Sequence, residues 1–102
     1  MAFDEPLDWS KRASYMFTKH GIETHCADEA YEDPERAVIQ PDYASISGQS
    51  TRIIGWSRCA DAVLTVIVVE DEGHLYGANA WKANEKDQAI YHGKGDNDEQ
   101  DF

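Results

Sequence analysis

The run Val63-Leu64-Thr65-Val66-Ile67-Val68-Val69 leaves this chain few ways to fold. It is rich in β-branched residues, and turn-forming stretches at 58–61 and 70–73 bound it. Both features select a strand over a helix. Side chains alternate between the two faces of a strand, and here both faces are apolar. Residues 62–69 must therefore form a central strand, with helices over at least part of its second face. The neighbouring stretches 51–57 and 74–80 also read as strands. Four-residue connections are too short for parallel crossovers, so the expected arrangement is an antiparallel meander.

Helical periodicity precedes the strands. Trp9, Ala13, Met16, Phe17 and His20 lie along one side of a helix starting near Asp8 or Ser10, and Gly21 supplies its stop. A second helix is expected from an N-cap at Thr24 to about Glu32, with Cys26, Ala27, Ala30 and Tyr31 facing the core; Asp33-Pro34 ends it. Val38-Ile39 reads either as a short strand or as an extended anchor, and 41–50 as a loop. Asn84 caps a last helix through Tyr91, which Gly93 and Gly95 stop. The fold class is α+β: two N-terminal helices, an antiparallel meander of three to four strands and a C-terminal helix. One domain over 1–92 and an acidic tail over 93–102, too poor in apolar residues to order alone, account for all 102 residues.

Charge narrows the partners. Twenty carboxylates against nine Lys and Arg leave a formal charge of -11. That opposes indiscriminate binding to phosphate backbones, which depends on clustered cations. The tail carries Asp96, Asp98, Glu99 and Asp101 against Lys94 alone, so most of the excess belongs to the globular part. The opening residues lack a signal-peptide pattern, and no apolar run approaches the ~20 residues that cross a bilayer. A cytoplasmic location without membrane contact is the expectation. Cys26 and Cys59 read as reduced thiols of the core. Neither they nor His20, His25, His74 and His92 show the spacing of a zinc site, and Glu70-Asp71-Glu72 reads as a solvated turn. No metal and no cofactor are expected.

The cations fall into three groups: Lys11, Arg12 and Lys19 with His20; Arg52 and Arg58; and Lys82 with Lys86. A metal-independent ribonuclease needs a proton acceptor for the 2′-hydroxyl, a proton donor for the leaving oxygen and cations for the charged transition state. His20, Lys19, Arg52, Lys82 and Tyr91 have suitable side chains. Each also has a plainer role. His20 beside Gly21 suits the carbonyl end of a helix. Arg52 serves equally as a phosphate clamp or as the counter-charge of nearby carboxylates. Trp81 and Lys82 fit a base stack with a phosphate contact, or a core edge with a solvated amine. Tyr91 fits a half-buried anchor with its hydroxyl outward.

Ordered motifs span residues 8–91. Lys19-His20-Gly21-Ile22 with Glu29-Ala30 and Asp33-Pro34, then Ile53-Ile54-Gly55-Trp56-Ser57 and the apolar strand after it, then Ala80-Trp81-Lys82-Ala83 with Asp87 and Tyr91, resemble the BrnT-type toxins of the RelE-fold ribonuclease superfamily. The chain departs from that pattern where Trp81 takes the arginine position of the closing signature and Trp56 that of a frequent basic residue. The first-helix lysine is matched only by Arg12, and Met16 replaces an asparagine. The resemblance implies a bacterial or phage toxin-antitoxin component, a metal-independent endoribonuclease held by a small antitoxin. On that reading His20, Lys19, Arg52, Lys82 and Tyr91 would be catalytic, and Arg12, Arg58 and Trp81 would contact RNA. A homo-oligomer is compatible with it. The alternative on the same scaffold is a non-catalytic acidic protein, carried by a phage or mobile element, that binds a basic host partner.

Overall fold

The computed structural model describes residues 3–93. The element order is α1 (Ala13–His20), α2 (Thr24–Tyr31), β1 (Ala37–Ile39), β2 (Ser50–Ser57), β3 (Ala62–Asp71), β4 (His74–Lys82) and α3 (Glu85–Gly93). The four strands form one antiparallel sheet in the order β1-β2-β3-β4. The fold is α+β with the helices and meander in the expected order. The expectation for the tail beyond Gly93 lies outside the described residues.

Register divides the sheet into two faces. Ile53 pairs with Val66 and Val66 with Ala80, and these join Leu64, Val68 and Leu75 in the main core under α1 and α2. The opposite face carries Arg52, Ile54 and Trp56 from β2, Val63, Thr65 and Ile67 from β3, and Asn79 and Trp81 from β4. There α3 closes a smaller cluster of Ile54, Val63 and Ala83, with Ile90 and Tyr91 against it. Apolar residues on both faces of β3 are thus explained by helices on both sides.

Local chemistry accounts for the element ends. α1 begins at Ala13, later than its periodicity suggests, because Asp8 is bound to the sheet: its N–H donates to Leu75 O at 3.0 Å and its carbonyl accepts Gly77 N–H at 3.0 Å. The Asp8 carboxylate also accepts Ser10 N–H at 2.9 Å, a side-chain turn that holds 8–10 out of helix. Gly21 ends α1 with φ +71°, its N–H donating to Phe17 O. Thr24 is the first residue of α2, and Glu23 takes the cap position without a side-chain bond. Asn84 caps α3, accepting Asp87 N–H at 2.9 Å. Glu72 and Gly73, both at positive φ, make the two-residue turn between β3 and β4.

Two glycines set how closely the helical layer approaches. A Cβ on Gly55 would meet Ala30 O at 2.0 Å, so α2 lies directly on the backbone of β2. A Cβ on Gly77 would meet the Trp9 ring at 2.5 Å, and that indole donates to Asp28 Oδ1 at 2.7 Å, tying the residues before α1 to α2.

Candidate functional site

Arg52 sits in the middle of a strand otherwise built from apolar and small residues, and burying a guanidinium there requires compensation. Two carboxylates supply it. Its Nε donates to Asp42 Oδ1 at 2.6 Å, and its Nη1 to Asp87 Oδ2 at 2.6 Å and to the Tyr43 hydroxyl at 2.8 Å. Tyr43 in turn donates to Asp87 Oδ1 at 2.6 Å and Thr65 Oγ1 to Asp87 Oδ2 at 2.6 Å. Arg52 is 5% exposed, Asp42 7% and Asp87 0%. Burial pushes the Asp87 carboxyl up, but the hydrogen bonds from Thr65, Tyr43 and Arg52 outweigh it and hold its pKa below the usual range. Burial raises the Tyr43 phenol and its bond to Asp87 adds to the effect. The guanidinium is spent on groups of the chain itself. An incoming phosphate would meet two carboxylates before it met a free N–H.

The other candidates lie apart. His20 ends α1 with its ring 5.7 Å from that of Trp81, and Trp81 lies 5.7 Å from the Arg52 guanidinium, so these three form one connected group; Lys19, the residue before His20, is exposed. Lys82 pairs with Leu64 and so belongs to the other face, where it borders a cleft with Gly21, Ile22 and Glu23. Arg12 donates to Ala78 O at 2.9 Å, at the edge of a 650 Å³ cleft that Lys11 and Arg12 share with Glu70 and Asp71. Tyr91 is half-buried as expected, but its hydroxyl is not free to solvent: it donates to Asp33 Oδ2 at 2.6 Å. Burial, with Asp33 next, pushes its phenol up to about 12. Arg58 faces Glu29, Glu32 and Asp33 across a smaller cleft. The residues expected to act together are therefore spread over several surfaces, with His20, Trp81 and Arg52 forming one connected group.

That smaller cleft, about 270 Å³, is lined by Glu29, Glu32, Asp33, Pro34, Trp56 and Arg58. Trp56 is 43% exposed, unusual for so large an apolar side chain on a strand. Its acidic neighbours are held in place. Glu29 accepts Cys59 N–H at 2.7 Å and the Ser57 hydroxyl at 3.1 Å, and Asp33 accepts Trp56 N–H at 2.8 Å. The N–H of Cys59, followed by the Ser57 bond, keeps the Glu29 carboxyl ionised below its ordinary range. An indole beside three carboxylates, two of them held by hydrogen bonds, against the single cation Arg58 suits a further cationic side chain, which gains from the ring and from the charges together.

Comparison with protein-family models gives no match, and comparison with curated proteins gives none either. Any functional reading rests on the motifs and on this geometry.

Sequence reasoning missed the partners of Arg52, which come from 10 residues before it and 35 after it. The available signal was the arginine itself, since a charge inside an apolar strand demands counter-charges. The reading of Cys26 and Cys59 as separate reduced thiols is corrected: a disulfide joins them across 33 residues of sequence. No spacing rule reaches a pair that only the packing of α2 on β2 brings together.

Proposed function

We propose that this chain is a toxin-type scaffold that works in the cytoplasm by holding a basic protein partner in the Trp56 cleft, and not by cutting RNA. The observation that carries this reading is the exposed indole of Trp56, set beside the held carboxylates of Glu29 and Asp33 with Glu32 also lining the cleft. The closure of Arg52 by Asp42 and Asp87 supports it, as does the charge of -11, which favours encounter with cationic surfaces over phosphates. The partner side chain of the stated chemistry is an arginine or lysine stacked on Trp56.

Affinity capture of partners from the source cell tests the proposal. The expected result is a small basic protein, released by salt and lost on Trp56→Ala. Recovery of nucleic acid without a basic protein overturns it. A ribbon-helix-helix type protein encoded beside this chain would instead be the antitoxin expected of a ribonuclease toxin.

One observation favours a second reading, an endoribonuclease toxin neutralised by that antitoxin. His20 and Trp81 are in ring contact, which would allow a base to stack near a proton-transferring group. Growth arrest on expression, abolished by His20→Ala in a folded protein, would select it over the first.

A further inference from the structure

His25 and Cys26 lie on the first turn of α2, and Cys59 lies in the turn between β2 and β3. The close seating of α2 on Gly55 brings them together. Cys26 and Cys59 form a disulfide with Cα atoms 5.2 Å apart, and His25 Nε2 lies 3.2 Å from Cys59 Sγ and 3.7 Å from Cys26 Sγ. The other ring nitrogen, His25 Nδ1, lies 3.3 Å from Glu23 Oε1. His25 and Cys59 are exposed and Cys26 is buried. Beside them opens a cleft of about 310 Å³ bordered by Glu23, Cys26, Cys59 and Lys82.

We infer that, once the disulfide is reduced, His25, Cys26 and Cys59 bind a zinc-type divalent cation, so that the disulfide and the metal exclude each other. The donor set is two thiolates and an imidazole, which favours zinc-type ions over magnesium or calcium. Around a tetrahedral ion with bonds of about 2.3 Å to sulfur and 2.0–2.1 Å to nitrogen, donor atoms stand roughly 3.6–3.8 Å apart. The two distances from His25 Nε2 to sulfur are already near that range, so only the sulfurs must separate. Glu23 Oε1, 3.3 Å from Nδ1, stands where a carboxylate can orient the ring so that Nε2 faces the ion, as outer-shell carboxylates do in metal sites. The cleft leaves the fourth position open to water. In the reduction a dithiol gives two electrons and two protons: the S–S bond breaks, each cysteine sulfur takes a proton, and the dithiol becomes a cyclic disulfide. The cation then displaces both thiol protons. Cytoplasmic disulfides are usually transient, and that is the setting in which such an exchange operates.

The test uses the full chain, reduced with a dithiol, desalted without oxygen and titrated with Co²⁺ alone. The expected result is one Co²⁺ per chain, with thiolate-to-cobalt charge transfer and the d–d bands of a four-coordinate ion, both removed by Zn²⁺ and both absent from oxidised protein. Glu23→Gln should weaken binding about 10–100-fold, as loss of an outer-shell partner does, and His25→Ala or Cys59→Ser by more. If the reduced chain unfolds, recovery of its circular dichroism on adding Co²⁺ supports the site, and failure to recover overturns it. Folded reduced protein without the charge-transfer band overturns it, as does His25→Ala binding as tightly as the parent.

Discussion

Replacing Arg52 by methionine removes the charge while keeping much of the side-chain length, so the loss reports the ion network and not a cavity. Asp42 and Asp87, 7% and 0% exposed, would then remain buried without their shared cation. Breaking such a network from one side costs about 3–5 kcal/mol, because the stranded charges keep their desolvation penalty. With a urea dependence of roughly 1.5 kcal/mol per molar for a domain of this size, the unfolding midpoint falls by about 2–3 M. The deficit also has a pH signature. In the parent the Asp87 carboxyl is depressed, so its contribution is present above the unfolded carboxylate range and is lost on acidification. In the variant Asp87 loses the Arg52 bond while its burial remains, so its carboxyl is pushed up and takes a proton in the folded state, and the gap between parent and variant narrows as pH falls from 7 towards 4. Urea titrations at several pH values measure both effects. A midpoint shift corresponding to under about 1 kcal/mol, unchanged with pH, would refute the claim that the two carboxylates neutralise Arg52, and would return it to the candidates for phosphate binding.

Further outcomes follow from other contacts. Gly55→Ala forces a Cβ into Ala30 O and should cost about 1–3 kcal/mol or more in a denaturant melt, separating α2 from β2; a neutral result would contradict the close seating. Tyr91 should ionise near pH 12, its shift caused by burial first and Asp33 second, so its stabilising contribution holds below pH 10 and is lost between 10 and 12. Ultraviolet phenolate titration of the parent and of Tyr91→Phe checks this, and a Tyr91 midpoint near 10 would count against it. The Asp8 carboxyl, lowered to about 2 mainly by its hydrogen bonds with Ser10 and then by His74, should stay ionised until pH falls well below 3.8; carbon-13 NMR of the side chain reads that directly. Trp56→Ala should leave stability within about 0.5 kcal/mol yet weaken the basic partner by about 2 kcal/mol, or roughly 30-fold, as loss of a central aromatic anchor does. Isothermal titration of the two proteins decides it.

The β3 stretch shows why the architecture was legible. An apolar run on both faces, short polar turns on either side and a capping asparagine are local signals; helices bury both faces of the run, and the Asn84 side chain accepts the Asp87 N–H. α1 was misplaced at its start because Asp8 bonds to β4, a contact about 67 residues away in sequence that no local pattern encodes. The candidate site was less legible for the same reason on a larger scale. Arg52, Lys82 and Tyr91 had the right chemistry, but strand alternation sent Lys82 to the face opposite Arg52, and Asp33 took the Tyr91 hydroxyl. Trp56 is visible in the sequence as a departure from the toxin pattern, but the carboxylates beside it come from α2 and the residues after it, which only the packing of α2 on β2 brings near.

The most direct measurement is the fate of RNA incubated with the folded, partner-free protein in the presence of chelator, followed by gel electrophoresis over time. Binding through the Trp56 cleft, with Arg52 closed off by Asp42 and Asp87, predicts that the RNA stays intact. Cleavage that is retained in Trp56→Ala and abolished by His20→Ala would contradict it.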